Sequence, residues 1–500
     1  MQQVAMLHAL VDGEPTTVEI GKTKILLLRQ GDTVGGFSAT CPHAGAPLDQ
    51  GAVCDGRLIC PWHKAMFDIT DGALLEPPAL ESLRRYPVRI DGDIVLAAPE
   101  PIEPLVHAAI PDDRVMVVVG AGAAGMAGAA FLREFGFTGR LVLVGDEPGE
   151  PFDRTALSKF VLEGDMQPDE VPPLRPETFC VAHRIERLHD RVTAIDASAR
   201  TLTLVNGAPL SFDAVLLAPG GIPKPLDVPG ADRPGVHVLR NRADAASLVE
   251  QLQDRPRVVI VGGGFIGLEA ASALRKRQIP VQVILSSEIP FEPILGTEIG
   301  TMLRRLHEAN GVVFHTGTRV IAIEGEGETG PVRAVQLETG ERIEAELVLA
   351  GIGVRPATAF AASLGLAEDG GLDTDRALRV RDRIFAAGDV ARVPFGSDEG
   401  DRIRVEHWRV AQQHARIAAR NMLGGNARFE QPPFFWTYHY GKRIEVHGHP
   451  AGFDRVEIEG DLQAPEFVAR QFRDGVLVGL VGCERDTELA ALALQLAARP

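Results

Sequence analysis

Hydrophobic and polar positions change rhythm three times along this chain. Residues 1–98 alternate short apolar runs with turn signals, the Asp91-Gly92-Asp93 turn among them, which predicts a small all-β unit. Residues 99–113 then carry Pro99, Pro101, Pro104 and Pro111 among acidic side chains. That composition predicts an extended, semi-rigid linker able to span roughly 45–50 Å. From Arg114 onward β and α patterns alternate, with two similar strand, glycine-rich turn and helix openings at Val115 and Val258. Their wide separation predicts two nucleotide-binding folds rather than a short repeat. From about Asn426 strands return, at 467–472 and 476–481 around an Asp474-Gly475 turn, and a final amphipathic helix closes the pattern.

One span, 115–132, is long and apolar enough to be weighed as a membrane helix. Its valine-rich start and regularly placed glycines predict a buried strand running into a helix instead, so no membrane span is expected. Residues 1–13 lack a basic start followed by a long apolar stretch, so no targeting segment is read there and a cytoplasmic location is expected.

Composition bounds the answer further. With 500 residues the chain exceeds what one hydrophobic core supports, about 250–300 residues, and three or four domains are expected. A formal charge of −17 without a Lys/Arg cluster excludes a nucleic-acid surface and leaves room for a basic partner. Only five cysteines occur, two of them in metal-ligand spacing, which argues against a disulfide framework.

Those two cysteines carry the strongest motif. Cys41-Pro42-His43 is followed, after sixteen residues, by Cys60-Pro61-Trp62-His63. Cys41 and Cys60 offer two thiolates to one iron, while His43 and His63 offer two imidazoles to a second, which is the Rieske [2Fe–2S] arrangement. The alternative is a structural zinc site with two Cys and two His, which fits the ligand types but not the spacing well. The segment resembles Rieske proteins over nearly all of residues 1–98, including Phe67-Asp68 after the second loop. It departs from the high-potential respiratory type, in which each loop carries a further cysteine; Ala46 and Trp62 stand at those positions. Ala65 stands where a hydroxyl would donate to a bridging sulfide. Fewer donors to the sulfurs predict a lower potential. Lys64 replaces a glycine usual in that loop, and the sequence offers no physical reason for it.

The strand at 115–119 runs into Gly120-Ala121-Gly122-Ala123-Ala124-Gly125. Gly120, Gly122 and Gly125 permit a tight turn and bring helix-start N–H groups close to a pyrophosphate. A second strand, 141–144, ends in Asp146-Glu147, where the Glu147 carboxylate can accept ribose hydroxyls. Three further segments, Pro151-Phe152-Asp153-Arg154-Thr155-Ala156-Leu157-Ser158-Lys159, Ile384-Phe385-Ala386-Ala387-Gly388-Asp389 and Phe434-Phe435-Trp436-Thr437, resemble the two-dinucleotide flavoprotein reductases. More narrowly, residues 114–500 resemble apoptosis-inducing-factor-like flavoproteins and the ferredoxin reductases that serve Rieske oxygenases. The resemblance implies bound FAD, with Arg154 and Lys159 along the flavin, Ala218, Gly220, Gly388 and Asp389 among its contacts, and Glu406, His407, Trp408 and Trp436 lining the ring. Pro219 stands where the family usually has threonine. Taken singly, Asp389 also reads as a helix cap, Trp436 as core and Lys159 as a solvated lysine.

The second opening, Gly262-Gly263-Gly264-Phe265-Ile266-Gly267-Leu268-Glu269, predicts a nicotinamide dinucleotide site built on Gly262, Gly264, Phe265, Ile266 and Gly267. Its partner strand, 281–285, is followed by Ser286, Ser287 and a late acid, Glu288. A carboxylate there, with no arginine nearby to receive a 2′-phosphate, favours NADH over NADPH. By resemblance Gly353 belongs to the loop bordering the nicotinamide, and Glu269 pairs with Lys159 beside the flavin. Lys159, Glu269 and Trp436 are thereby the expected catalytic residues.

The expected fold class is multidomain: an N-terminal all-β Rieske domain, then an α/β two-dinucleotide-binding, glutathione-reductase-like flavoprotein with an α+β C-terminal domain. The expected boundaries are 1–98 for the Rieske domain, 99–113 for the linker, 114–235 and 351–425 for the two parts of the FAD-binding domain, 236–350 for the NAD(P)-binding domain and 426–500 for the C-terminal domain. Residues 153–162 hold no cysteine pair, and Cys54, Cys180 and Cys483 are isolated, so electrons are not expected to leave through a protein disulfide. The expected route runs from nicotinamide through FAD to the chain's own cluster and on to an acceptor redox protein such as an oxygenase. The linker would let the cluster domain dock on the flavin and then face that partner. A redox sensor with a signalling role, and a direct quinone or oxygen reductase, stand as alternatives.

Overall fold

A valine-rich strand, Val115–Val119, has four of its five residues buried, and it lies at the centre of a six-stranded sheet. It pairs in parallel with Arg140–Gly145 on one side and Ala214–Leu217 on the other. The order Ile185–His189, Arg140–Gly145, Val115–Val119, Ala214–Leu217 reverses direction at the first strand. That reversal leaves a crevice beyond the strand's carboxyl end, where ligands bind in open α/β sheets. The helix Ala123–Glu134 starts at this crevice and buries its alanines. Residues 115–132 thus form a strand and a helix; among the described residues no helix is long and apolar enough to cross a membrane.

The same plan recurs around Val258–Val261, the third strand of a five-stranded parallel sheet, with the helix Phe265–Lys276 after it. The computed structural model describes residues 1–103, 111–254, 256–396 and 401–497. The middle of the proline-rich segment, 104–110, lies outside the described residues. Its beginning is held, since Ile102 N–H donates to the Arg85 carbonyl at 2.7 Å.

The N-terminal unit is all β. Two three-stranded sheets, one of them Pro15–Ile20, Thr23–Gln30 and Thr33–Ser38, accompany a four-stranded sheet of Ala52–Cys54, Arg57–Ile59, Met66–Asp68 and Leu74–Glu76. The two cysteine loops flank the short strands of the last sheet. One apolar core runs on from this unit into the reductase, joining Leu28, Phe67 and Leu80 with Met116, Phe131 and Phe135.

The C-terminal sheet is antiparallel, in the order Phe434–His439, Lys442–Gly448, Val476–Cys483, Glu466–Arg473, Arg455–Asp461. The closing helix, Asp486–Ala497, departs from simple amphipathicity. Leu489 packs on Val468, Leu477 and Leu480 of its own sheet, whereas Ala490 packs on Ala52, Ile59 and Met66 of the N-terminal unit. A helix wedged between two partners needs two apolar faces, which accounts for its run of leucine and alanine.

Candidate active site and iron–sulfur loops

The cleft at the switch point of the first sheet collects most of the residues expected at the flavin. Gly120, Gly122, Glu147, Arg154, Lys159, Ala218, Gly220, Gly388, Asp389, Glu406, His407, Trp408 and Trp436 all line it. Phe265, Ile266 and Glu269, expected at the second nucleotide, line it as well, so the two nucleotide folds meet there.

The glycines divide by role. A Cβ on Gly120, at φ +97°, would lie 2.1 Å from the Ala218 carbonyl, and one on Gly125 would lie 1.7 Å from the Gly120 carbonyl. These two permit tight turn and close helix packing. Gly122 has nothing within 4 Å and caps the helix Ala123–Glu134 without a side-chain bond, so helix-start N–H groups stay open to the cleft. The second opening repeats the division. Cβ atoms on Gly262 and Gly267 would press on the Gly351 and Gly262 carbonyls at 2.5 and 2.2 Å, while Gly264 has space and caps its helix. Gly353 adopts φ +94° in the adjoining loop. This is the cradle two pyrophosphates need.

Charge in the cleft is arranged in pairs. Arg154 donates to Glu147 and, at 2.7 Å, to the Arg240 carbonyl. Arg240 in turn donates to Asp389 at 3.1 Å. Sequence reasoning missed Arg240, which no motif marks. Lys159 sits in a single π-helical turn, Leu157–Val161, a local distortion often found at functional sites. Its Nζ lies 2.8 Å from Glu269 Oε2, and Ser158 donates to the same oxygen at 2.6 Å. Glu269 Oε1 accepts from Thr437 at 3.0 Å, and Thr437 meets His439 at 2.9 Å. Thr437, His439 and Ser158 were likewise not anticipated.

The floor is aromatic. His407 stacks on Phe435 with centroids 3.8 Å apart, and burial pushes its imidazole down to about 3, so it is neutral. Glu406 accepts from Arg404. Trp408 keeps a buried Nε1–H with no partner among the described residues, a donor that a bound group would satisfy.

On the cluster side, Cys41 and Cys60 are buried and their thiols hydrogen-bond to each other. Cys60 is drawn down to about 7 by that bond and by the backbone N–H groups of His63 and Trp62, while Cys41 is pushed up by the same contact and by burial. His43 and His63 turn their Nδ1 atoms toward each other at 3.1 Å, and burial lowers both imidazoles, keeping them neutral donors of lone pairs. Among the described residues no three His, Cys, Asp or Glu side chains converge on one point. Two separate pairs suit a two-iron cluster and do not suit a single zinc held by all four. The His63 ring lies 4.4 Å from the ring of Trp436, which also lines the flavin cleft.

Residues 114–415 match the pyridine nucleotide-disulphide oxidoreductase family model, and residues 1–87 match the Rieske [2Fe-2S] domain model. The chain belongs to the pyridine nucleotide-disulphide oxidoreductase family. It is 32% identical to human apoptosis-inducing factor 3 over 99% of this chain and 84% of that one. It is 35% identical to the biphenyl dioxygenase system ferredoxin–NAD(+) reductase component of Paraburkholderia xenovorans, over 70% of this chain and 84% of the relative. The covalent putidaredoxin reductase–putidaredoxin complex superposes with a TM-score of 0.73 at 30% identity, covering 78% of this chain and 94% of that one.

This member of the family is an NAD(P)H-dependent oxidoreductase of the ferredoxin-reductase type carrying an N-terminal Rieske domain. Its cofactors are FAD, a nicotinamide dinucleotide and a [2Fe–2S] cluster. The family name refers to a disulphide, yet all five cysteines are free and none lines the cleft.

One expectation is corrected. An arginine does stand beside Glu288: Arg304 reaches the Glu288 carbonyl at 3.3 Å from the helix Thr297–Ala309, which folds back against the turn. Its Nε is engaged by Glu308 at 2.8 Å, and the Glu288 carboxylate accepts from Thr316 at 3.0 Å. Local sequence does not reveal a neighbour supplied by the next helix.

Proposed function

We propose that this protein takes hydride from a nicotinamide dinucleotide, NADH in preference to NADPH, and passes electrons through FAD to its own Rieske cluster and on to an acceptor redox protein such as an oxygenase. FAD, when bound, supplies the conversion of a two-electron donor into single electrons. The supporting observation is Trp436, whose ring lines the flavin cleft on one side and meets the His63 ring at 4.4 Å on the other.

The chain's residues divide the work. Gly120, Gly122 and Gly125 hold the FAD pyrophosphate at a helix start, and Gly262, Gly264 and Gly267 do the same for the nicotinamide dinucleotide. Glu288 would repel a 2′-phosphate; Arg304, whose Nε is engaged by Glu308, lies against the Glu288 carbonyl. Lys159, fixed by Glu269, holds a positive charge at the cleft where negative charge develops on reduction. Cys41, Cys60, His43 and His63 hold the two irons. Free cysteines agree with a reducing, cytoplasmic setting.

Rapid mixing of the loaded protein with NADH tests the route. Flavin absorbance should bleach first and the cluster absorbance afterwards, within turnover. A cluster that stays oxidised while quinone or oxygen is reduced at full rate would overturn it.

A further inference from the structure

Lys64 follows His63 directly, and it is 1% exposed. The two cysteine loops are built alike. Cys41 N–H donates to the Ala46 carbonyl and Cys60 N–H to the Ala65 carbonyl, each at 2.8 Å. Gly45 N–H closes on the Cys41 carbonyl at 2.9 Å, just as Lys64 N–H closes on the Cys60 carbonyl at 3.2 Å. The twin positions have φ +76° at Gly45 and +57° at Lys64. Glycine takes that region freely and lysine does not, so the loop itself asks for glycine. The lysine side chain must be held for what it touches.

It touches the reductase. Lys64 Nζ donates to the Pro61 carbonyl at 2.6 Å and to Asp486 Oδ1 at 2.9 Å, and lies 3.1 Å from Glu445 Oε2. Glu445 belongs to the strand Lys442–Gly448 and Asp486 opens the closing helix. Arg443 completes the set: Nε donates to Glu445 at 2.9 Å, and Nη2 donates to Asp486 and, at 3.3 Å, to the Pro61 carbonyl. Two cations and two carboxylates balance, but only with Lys64 present. Its backbone is engaged as well, because buried Arg409 donates to the Lys64 carbonyl at 3.3 Å and to the Pro77 carbonyl at 2.7 Å. Without Lys64 the docked interface would hold two carboxylates against one cation, and removing one partner of a buried ion pair is strongly destabilising.

We propose that Lys64 is a positioning residue that locks the cluster loop onto the reductase, so that flavin-to-cluster transfer occurs inside a permanently docked molecule. The expectation of a domain that swings on its linker is thereby replaced. This inference rests on the own-cluster route proposed above.

The test compares the loaded protein with its Lys64→Gly and Lys64→Met variants. Glycine suits the loop, so Lys64→Gly keeps the test open if Lys64→Met fails to load iron, and the spin signal of the reduced cluster reports an intact loop. Hydrogen exchange at residues 61–66 and 442–447 is expected to be about tenfold faster in the variants, as local opening becomes accessible. Cluster reduction is expected to slow and to acquire a dependence on solvent viscosity that the unaltered protein lacks, with flavin reduction by NADH unchanged. Lys64→Gly protein with both cofactors bound, wild-type exchange and wild-type transfer would overturn the lock. If the unaltered cluster never accepts electrons, the route falls, and the exchange measurement still decides the lock.

Discussion

Lys159 Nζ lies 2.8 Å from Glu269 Oε2, joining a π-helical turn after the first nucleotide fold to the first helix of the second. The pair is almost fully buried, with side chains 11% and 6% exposed, so its charge is weakly screened by solvent. Lys159→Ala should slow flavin reduction by NADH about 100-fold, the usual loss when one preorganised electrostatic contact is removed. Single-turnover absorbance under anaerobic conditions measures it, and an unchanged rate removes Lys159 from the chemistry.

Gly122 and Gly125 should separate binding from folding. Gly122→Ala adds a methyl into open space and should leave thermal unfolding of the apoprotein unchanged while lowering FAD affinity. Gly125→Ala drives a methyl to 1.7 Å from a carbonyl and should destabilise the apoprotein itself. Circular dichroism melts and flavin titration of the two variants give the comparison.

Trp436→Ala should slow cluster reduction after the flavin has been reduced, because the ring between His63 and the cleft is lost. Trp436→Phe should retain more of the rate. Equal rates in all three proteins would show that electrons pass elsewhere.

Ala65 is fully buried in the second cluster loop and offers no hydroxyl. The cluster midpoint should therefore fall at the low end of the Rieske range, roughly −150 mV, and Ala65→Ser should raise it. A redox titration followed by spin resonance decides the matter; a strongly positive midpoint contradicts the reading.

Acid should destabilise the protein early. Burial pushes His407, His414 and His439 down from 6.5 to about 3 each. Their folded values lie below the unfolded one, so the stability they allow is complete above pH 6.5 and is lost as pH falls toward 3. At pH 5 each imidazole costs about 2 kcal/mol. Urea midpoints between pH 7 and 4 report proton uptake on unfolding, and His414→Leu should reduce that uptake by roughly one proton.

The sequence discloses what is local. Valine-rich runs at 115–119 and 258–261, each followed by glycines at fixed offsets, place both nucleotide folds, since strand burial and turn geometry depend on neighbours in the chain. The Cys-x-His spacing discloses the cluster for the same reason. Arg240, which secures Asp389, and Thr437, which secures Glu269, were illegible because their partners lie 149 and 168 residues away. Lys64 was visible only as an oddity, a lysine in a glycine position. Its meaning depends on Glu445 and Asp486, and no local pattern couples them. The closing helix was read as amphipathic because a second packing partner leaves no mark in periodicity.

The distance along the chain between Lys64 and Asp486, 422 residues, sets an order of events during biosynthesis. The cluster-loop domain cannot be latched in full until the helix that opens with Asp486 has been made. Until then, Lys64 lacks one of the two carboxylates it meets in the folded protein.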